Sequence, residues 1–292
     1  MYDFLADKLC GIEYKFDVDL SKICSFRVGG NADVAVYPRT ESELMSTLAA
    51  VRETPHVIIG GGTNVLISDE GYRGVVIFTK YLDRIKTVGN ILICESGVRL
   101  AKAVAACLEN NLSGLEFAVD IPGTVGGLVA MNGGCFNKSC EDVVCYVVTE
   151  TGVYNKKSCG FSYRSSRFLS GEAIVKAAFK LKHAEEESIS AKLDRFKGAR
   201  SKNQPKGCTC GSVFLNDGYY AGKIIDQAGL KGFRIGGAYV SDLHANFIIS
   251  DGSSAQDVFD LIRYVKKKVY LDFGIDLREE VRYLGAFNEN RL

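Results

Sequence analysis

The 292-residue chain predicts an α+β fold with mixed sheets, on three observations. A strand, helix, strand order fills the stretch up to residue 75, and short strands with a single helix among them run on to residue 185. After a charged connector, the last hundred or so residues return to alternating strands and helices. Three segments follow, with boundaries expected at 1–75, 76–185 and 186–292. With 47% hydrophobic residues the chain can bury a sizeable core. A formal charge of +1, with acids and bases interspersed, argues against a protein-wide nucleic-acid footprint and leaves any anionic ligand to local groups.

Each element has its own signal. "ADVAVYP" (32–38) reads as a strand and "TESELMSTLAAVRE" (40–53) as a helix opened by a Thr40/Glu43 capping box. "HVIIGGG" (56–62) is a buried-type strand ending in glycines. Beyond Gly74 the strands are "GVVIF", "NILICESG", "CYVVTETG" and "AIVKAAFKLK", and "RLAKAVAACLEN" (99–110) is the intervening helix. The connector "AEEESISAKLDRFKGARSKNQP" (184–205) is charged and helix-like. Then come the strand "GSVFL", the helix "YYAGKIIDQAG" with Gly229 as its C-terminal stop, and the strand "NFIIS". A long helix capped by Ser253 or Ser254 runs to Phe273, with Lys266, Lys267 and Lys268 expected on a solvated face.

The N-terminal "MYDFLADKLCGIEYKFD" carries charges throughout, and no run approaches the roughly 18 apolar residues of a membrane helix. A soluble, cytoplasmic protein with no membrane or nucleic-acid partner is expected. The ten cysteines include no C-x-x-C pair, and the three histidines stand far apart, so a metal site is not expected and reduced, buried thiols are.

Two glycine clusters invite a ligand. Neither is a P-loop, because no lysine follows, and Gly60-Gly61-Gly62-Thr63-Asn64-Val65 misses the dinucleotide fingerprint at its last position. Tight turns explain the glycines as well as a ligand does. Yet each cluster carries hydroxyl and amide partners, Thr63 and Asn64 in one, Thr124 and Asn132 in the other, and Pro122 can stiffen the second. Consecutive glycine N–H groups form anion-binding nests, and two nests suit the pyrophosphate of an extended dinucleotide.

Seven blocks in order resemble the UDP-N-acetylenolpyruvoylglucosamine reductase family: "SFRVGGNADV", "IIGGGTNVLISD", "GLEFAVDIPGTVGGLVAMNGG", "FSYRSS", "GSVFLN", "IDQAGLKGFRIGGAYVSDLHANFI" and "LREEVRYLG". The resemblance implies an FAD-binding fold of the vanillyl-alcohol oxidase (PCMH) type in two α/β subdomains, residues 1–75 and 76–185. A C-terminal α+β substrate-binding domain follows, its last residues packing back on the FAD domain. The short span between "FSYR" and "RSKNQP" resembles the branch that lacks a tyrosine loop over the substrate. The implied reaction is NADPH-dependent, FAD-mediated reduction of UDP-N-acetylglucosamine enolpyruvate to UDP-N-acetylmuramate in peptidoglycan precursor synthesis, carried out by a monomer.

By the same match, Arg164 and Glu280 stabilise the intermediate and Ser212 donates the proton. On their own residue types these would read as a surface arginine, half of a salt bridge with Arg278 or Arg282, and a turn hydroxyl. FAD falls to Gly60, Gly61, Gly62, Thr63, Asn64, Pro122, Gly123, Thr124, Gly126, Gly127 and Asn132. The substrate falls to Tyr163, Lys202, Asn216 and His244, with Arg234 reaching FAD or a phosphate. Cys208-Thr209-Cys210-Gly211 departs from the family's usual Pro-x-Ala-Gly before Ser212; Leu215 stands where lysine is usual, and Arg278 where glutamate is common. An alternative is another FAD-dependent oxidoreductase or oxidase of this fold, acting on a hydroxy acid or sugar. No histidine lies between Val57 and Lys182 to carry a covalent flavin, although a cysteine such as Cys135 leaves that route open. A binding module without catalysis is a further alternative, against which the complete Arg164, Ser212, Glu280 set speaks.

Overall fold

The structure is a computed structural model and describes residue 2 and residues 4–291. Helix α1 (Phe4–Lys8) and strands β1 (Tyr14–Asp19) and β2 (Asn31–Val36) lead to helix α2 (Glu41–Val51). Strands β3 (His56–Ile59), β4 (Val65–Ile67), β5 (Tyr72–Phe78), β6 (Ile85–Val88) and β7 (Ile91–Glu95) precede helix α3 (Leu100–Glu109). After β8 (Leu112–Ser113) come α4 (Val125–Ala130), β9 (Gly134–Cys135), β10 (Lys138–Ser139), β11 (Val144–Thr149) and β12 (Val153–Asn155). Strands β13 (Ile174–Lys180) and β14 (Lys182–His183) enter the long helix α5 (Glu186–Asn203). The chain ends with α6 (Ala221–Gln227), β15 (Arg234–Ile235), β16 (Ala238–Val240), β17 (Ile248–Ser250), α7 (Ala255–Phe273) and β18 (Arg282–Leu284).

These elements form two compact units, each assembled from separate parts of the chain. The first comprises Met1–Lys15, Val34–Gly61 and Val75–Arg200; the second comprises Phe16–Asp33, Gly62–Gly74 and Ser201–Leu292. Residues 1–75 are thus shared between both units, the chain crossing over within β1, β2 and β5.

In the first unit an antiparallel sheet in the order β12-β11-β13-β7-β6 packs its apolar face against α3 and α4. Leu92, Cys94, Val147, Ala177 and Phe179 from the strands meet Val104, Cys107, Val125 and Val129 in one cluster. A second cluster joins α1 and α2 to Val75 and Ile77 of β5, beside which β3 runs parallel. In the second unit β15, β16 and β17 form an antiparallel sheet, and β18 pairs parallel with β4, Arg282 opposite Val65.

Local chemistry explains the helix ends. Thr40 caps α2 by accepting from Glu43 N at 3.1 Å. Glu43 Oε2 answers at Arg39 N (2.8 Å), one residue upstream of where a capping box closes. Of the two serines, Ser254 caps α7, in a full capping box with Asp257, and Gly274 ends that helix at φ +70°. Along α7, Val258, Leu261, Ile262, Val265 and Val269 are buried at helical spacing, each worth about 1.5–3 kcal/mol of apolar burial. The lysine run is less solvated than expected: Lys267 is exposed, but Lys266 is half-buried and Lys268 pairs with Asp272.

The second glycine cluster contains a short helix where a loop is expected. Thr124 caps α4 by accepting from Gly127 N, and Val125, Leu128 and Val129 are buried. The two glycines weaken this helix by propensity, but a Cβ at Gly126 would lie 3.0 Å from Ser96 Cβ, so close packing selects glycine there. Gly71 shows the constraint more sharply. It sits at φ +73°, and a Cβ there would run into the backbone oxygen of Asn31.

Gly71→Ala is therefore expected to lower stability by about 2 kcal/mol or more. Gly252, at φ +66° with open space around its Cβ position, should cost only about 1 kcal/mol when replaced by alanine. Urea unfolding of the two variants reads the difference; equal losses would show that the Asn31 contact is not limiting.

Candidate active site

In the first unit, Ser162 and Ser165 exchange backbone hydrogen bonds (3.0 and 3.1 Å) around a two-residue turn. Arg164 is its second central residue, with φ +54°, the place where a type II turn favours glycine. Left-handed backbone costs an arginine about 1–2 kcal/mol, so the surroundings must hold it. Its Nη2 donates to the Gly134 carbonyl at 2.9 Å, and its guanidinium lies 5.3 Å from the Tyr163 ring centroid. The Ser162 carbonyl accepts from Asn132 Nδ2 at 2.9 Å, fixing the base of the turn. Tyr163 is 51% exposed.

Asn132 is buried, and its amide braces three segments. Nδ2 donates to Glu141 Oε2 (3.2 Å) as well as to Ser162 O, while Oδ1 accepts from Glu141 N (3.0 Å). The expected FAD contact thus has a structural occupation in its own unit. The glycines beside it behave alike. Val125 N donates to Val98 O, Gly126 N to Ser96 O, and Gly127 N to the Thr124 hydroxyl, so these three N–H groups do not form an open nest. What the absent side chains provide is close approach: a Cβ at Gly60 would run into Thr124 Oγ1, bringing the two glycine segments of this unit together. Thr124, Pro122 and Gly123 surround that contact in sequence, with Gly61 and Gly127 exposed.

In the second unit, the Ser212–Leu215 segment is gripped from both sides. Ser212 bridges Phe247, Val213 N donates to Asn246 O (2.9 Å), and the Asn246 side chain closes on both the N–H and the carbonyl of Phe214. On the other side, Phe214 bridges Glu279 and Leu215 N donates to Arg278 O (2.9 Å). The Val213 carbonyl accepts from both Glu280 N (2.7 Å) and Val281 N (3.4 Å). Two residues opposing one make a β-bulge, a device that re-aims a side chain. Asn64 completes the grip, donating from Nδ2 to Glu280 O (3.1 Å) and accepting Arg282 N at its own carbonyl (3.1 Å). Gly62, at φ +64°, lies against the Ile23 carbonyl in the same unit. Burial pushes the Cys210 thiol up, the Glu280 carboxylate adding to the effect.

A cavity of about 300 Å³ opens in this unit between Asn216, Tyr220, Lys223, Lys231 and His244. It brings together two residues expected at the substrate. Asn216 Oδ1 accepts from Ala221 N at the start of α6 (2.9 Å). His244 Nδ1 lies 3.2 Å from Asn246 N and serves as its acceptor, which leaves the proton on Nε2, and burial lowers the imidazole pKa. Lys202 is exposed in the last turn of α5, and Arg234 is exposed on β15. The buried cation of the "GARSKNQP" segment is Arg200, 9% exposed, its guanidinium 5.8 Å from the Phe136 ring. Among the described residues no group of three His, Cys, Asp or Glu side chains could hold a metal ion.

Asn246, Glu141 and Arg200 carry none of the roles expected from sequence. Asn246 lies inside a family-like block, and its double contact with Phe214 has no signature in the sequence. Glu141 offered none either.

Residues 32–157 match the family described as FAD binding domain, and residues 204–284 match the UDP-N-acetylenolpyruvoylglucosamine reductase C-terminal domain. A protein of that reductase name from Clostridium perfringens is 40% identical over 280 residues, 92% of either chain. The chain belongs to the UDP-N-acetylenolpyruvoylglucosamine reductase family. A reductase of the same name from Caldicellulosiruptor bescii is 40% identical over 293 residues, covering 96% of this chain and 93% of its own. The crystal structure of the reductase from Thermus caldophilus aligns with a TM-score of 0.82 at 31% identity, over 94% of this chain and 99% of that one. The fold is accordingly the α+β, FAD-binding fold of this reductase family, as the sequence blocks implied.

The strain at Arg164 is directly measurable. Arg164→Gly and Arg164→Ala remove the same side-chain contacts, so their difference reads the backbone alone. The glycine variant should be the more stable by about 1 kcal/mol, the reverse of the order within a helix. Denaturant unfolding with alanine equal or better would remove the strain from the account.

Proposed function

We infer that this chain is an FAD-dependent oxidoreductase that uses NADPH to reduce UDP-N-acetylglucosamine enolpyruvate to UDP-N-acetylmuramate. Its family membership over nearly the full length supports the reaction. The observation that carries the residue assignment is the bulge of Glu280 and Val281 against Val213, one residue from Ser212.

The residues suit the cofactor. In the first unit, Gly60 and Gly61 and the Pro122–Gly127 segment, with Asn132 shaping the latter, offer glycine backbone and a threonine hydroxyl and no carboxylate. Such a neutral set fits an anionic pyrophosphate approached closely. When bound, FAD supplies the hydride chemistry between NADPH and the enolpyruvyl group.

Reduction at C3 of that group builds negative charge on C2 and its carboxylate. Arg164, permanently charged and held by its turn, Gly134 and Tyr163, is a fixed fork for that charge. Ser212 donates the proton that completes C2, from a segment held at Ser212 by Phe247 and at Val213–Leu215 by residues 278–280. A hydroxyl is a weak acid, so it needs a polarising neighbour. Glu280, aimed by the bulge, serves that role. Asn216 and His244 provide an amide and an Nε2–H donor around the second unit's cavity for the polar part of the substrate, with Lys223 as a cation beside the Lys231–Asp226 ion pair (2.8 Å). Tyr163 and Lys202 stand as outer substrate contacts. We place the protein in the cytoplasm as a monomer; no described helix is long and apolar enough to cross a membrane.

Half-reactions separate these roles. Ser212→Ala should leave bleaching of the flavin bands by NADPH at its wild-type rate while slowing their return with the enolpyruvyl sugar by about 10²–10⁴-fold. Wild-type rates in both stages would remove Ser212 from proton donation.

A further inference from the structure

Glu280 has a twin. Glu279 precedes it directly, and the proposed reaction, on which this inference rests, uses only one of the two carboxylates. Consecutive residues of an extended segment point to opposite faces, and the two carboxylates differ in their partners: Glu280 shares the Val213 carbonyl with Val281 inside the bulge, and Glu279 lies just before it. Glu279 stands opposite the buried Phe214.

The structure shows what becomes of it. Lys266 Nζ, on α7, lies 2.9 Å from both Glu279 oxygens. The two side chains are 29% and 25% exposed, so the pair is partly withdrawn from water and less screened than a surface ion pair. Val265 and Val269, the neighbours of Lys266 on α7, are buried, which anchors the helix turn from which the lysine projects. Contact with both oxygens holds the carboxylate in one orientation and offsets its charge.

We propose that Lys266 is a positioning residue that pins and neutralises Glu279, leaving Glu280 as the one carboxylate directed to the Ser212 hydroxyl. Without the lysine, two adjacent like charges would share the strand. Their repulsion would go uncompensated, and Glu279 would be released to compete for the serine or for solvent cations.

The test compares half-reactions of the flavin-loaded protein. Lys266→Met should keep the NADPH-driven bleaching rate and the KM for the enolpyruvyl sugar, and slow the return of the flavin bands roughly tenfold, the order of one like-charge interaction at a half-buried site. Lys266→Arg should restore the rate. So should Glu279→Gln added to Lys266→Met, because it removes the charge that the lysine offsets. A Lys266→Met protein with wild-type rates overturns the proposal. So does one that loses both half-reactions together, or one that Glu279→Gln fails to rescue, since these describe a packing role. A wild-type protein that the enolpyruvyl sugar never reoxidises overturns the reductase reading itself, and with it this inference, before any variant is compared.

Discussion

One carbonyl oxygen organises the second unit. Val213 O accepts the N–H groups of both Glu280 and Val281, and the mismatch this creates is a β-bulge between the two segments. An unbroken antiparallel ladder from 212 to 281 would alternate faces strictly. The bulge interrupts that alternation at Glu280, and the flanking contacts leave the segment little freedom to slip. Asn246 holds Phe214 at both its N–H and its carbonyl, and Asn64 holds Glu280 and Arg282. Ser212 therefore lies on a strand fixed along both edges. For the proton donation proposed for Ser212, such a frame helps, because its geometry needs no reorganisation when charge develops.

The first unit solves a similar problem by strain. A turn that favours glycine carries an arginine, and three contacts hold it: Gly134 O, the Tyr163 ring and the Asn132–Ser162 brace. The glycines of both clusters serve chiefly to let backbone segments meet, as Gly60 does with Thr124 and Gly126 with Ser96. Any role they have toward the proposed cofactor rests on this close approach more than on rows of unused N–H groups.

Much of the fold is legible in the sequence, because it rests on local signals. Thr40 and Ser254 mark their helices, and "GVVIF" and "AIVKAAFKLK" mark buried strands. The helix at Val125–Ala130 is not legible, because two glycines argue against it and only its buried face and Thr124 decide for it. The roles of Arg164, Ser212 and Glu280 come from family-like blocks, while their supports do not. The contacts of Asn64 with Glu280 and of Lys266 with Glu279 join residues 216 and 13 positions apart. No periodicity encodes such pairs. The left-handed backbone of Arg164 is equally silent, since residue type argues for the opposite. The division of residues 1–75 between two units is hidden for the same reason: it depends on where three strands cross over.

The most direct test of the central claim is an anaerobic visible spectrum of the wild-type protein with FAD, recorded after NADPH and again after UDP-N-acetylglucosamine enolpyruvate. The account predicts that the flavin bands bleach with NADPH and return with the enolpyruvyl sugar, without oxygen. Bands that bleach and return only when oxygen is admitted would contradict it and assign the fold to an oxidase.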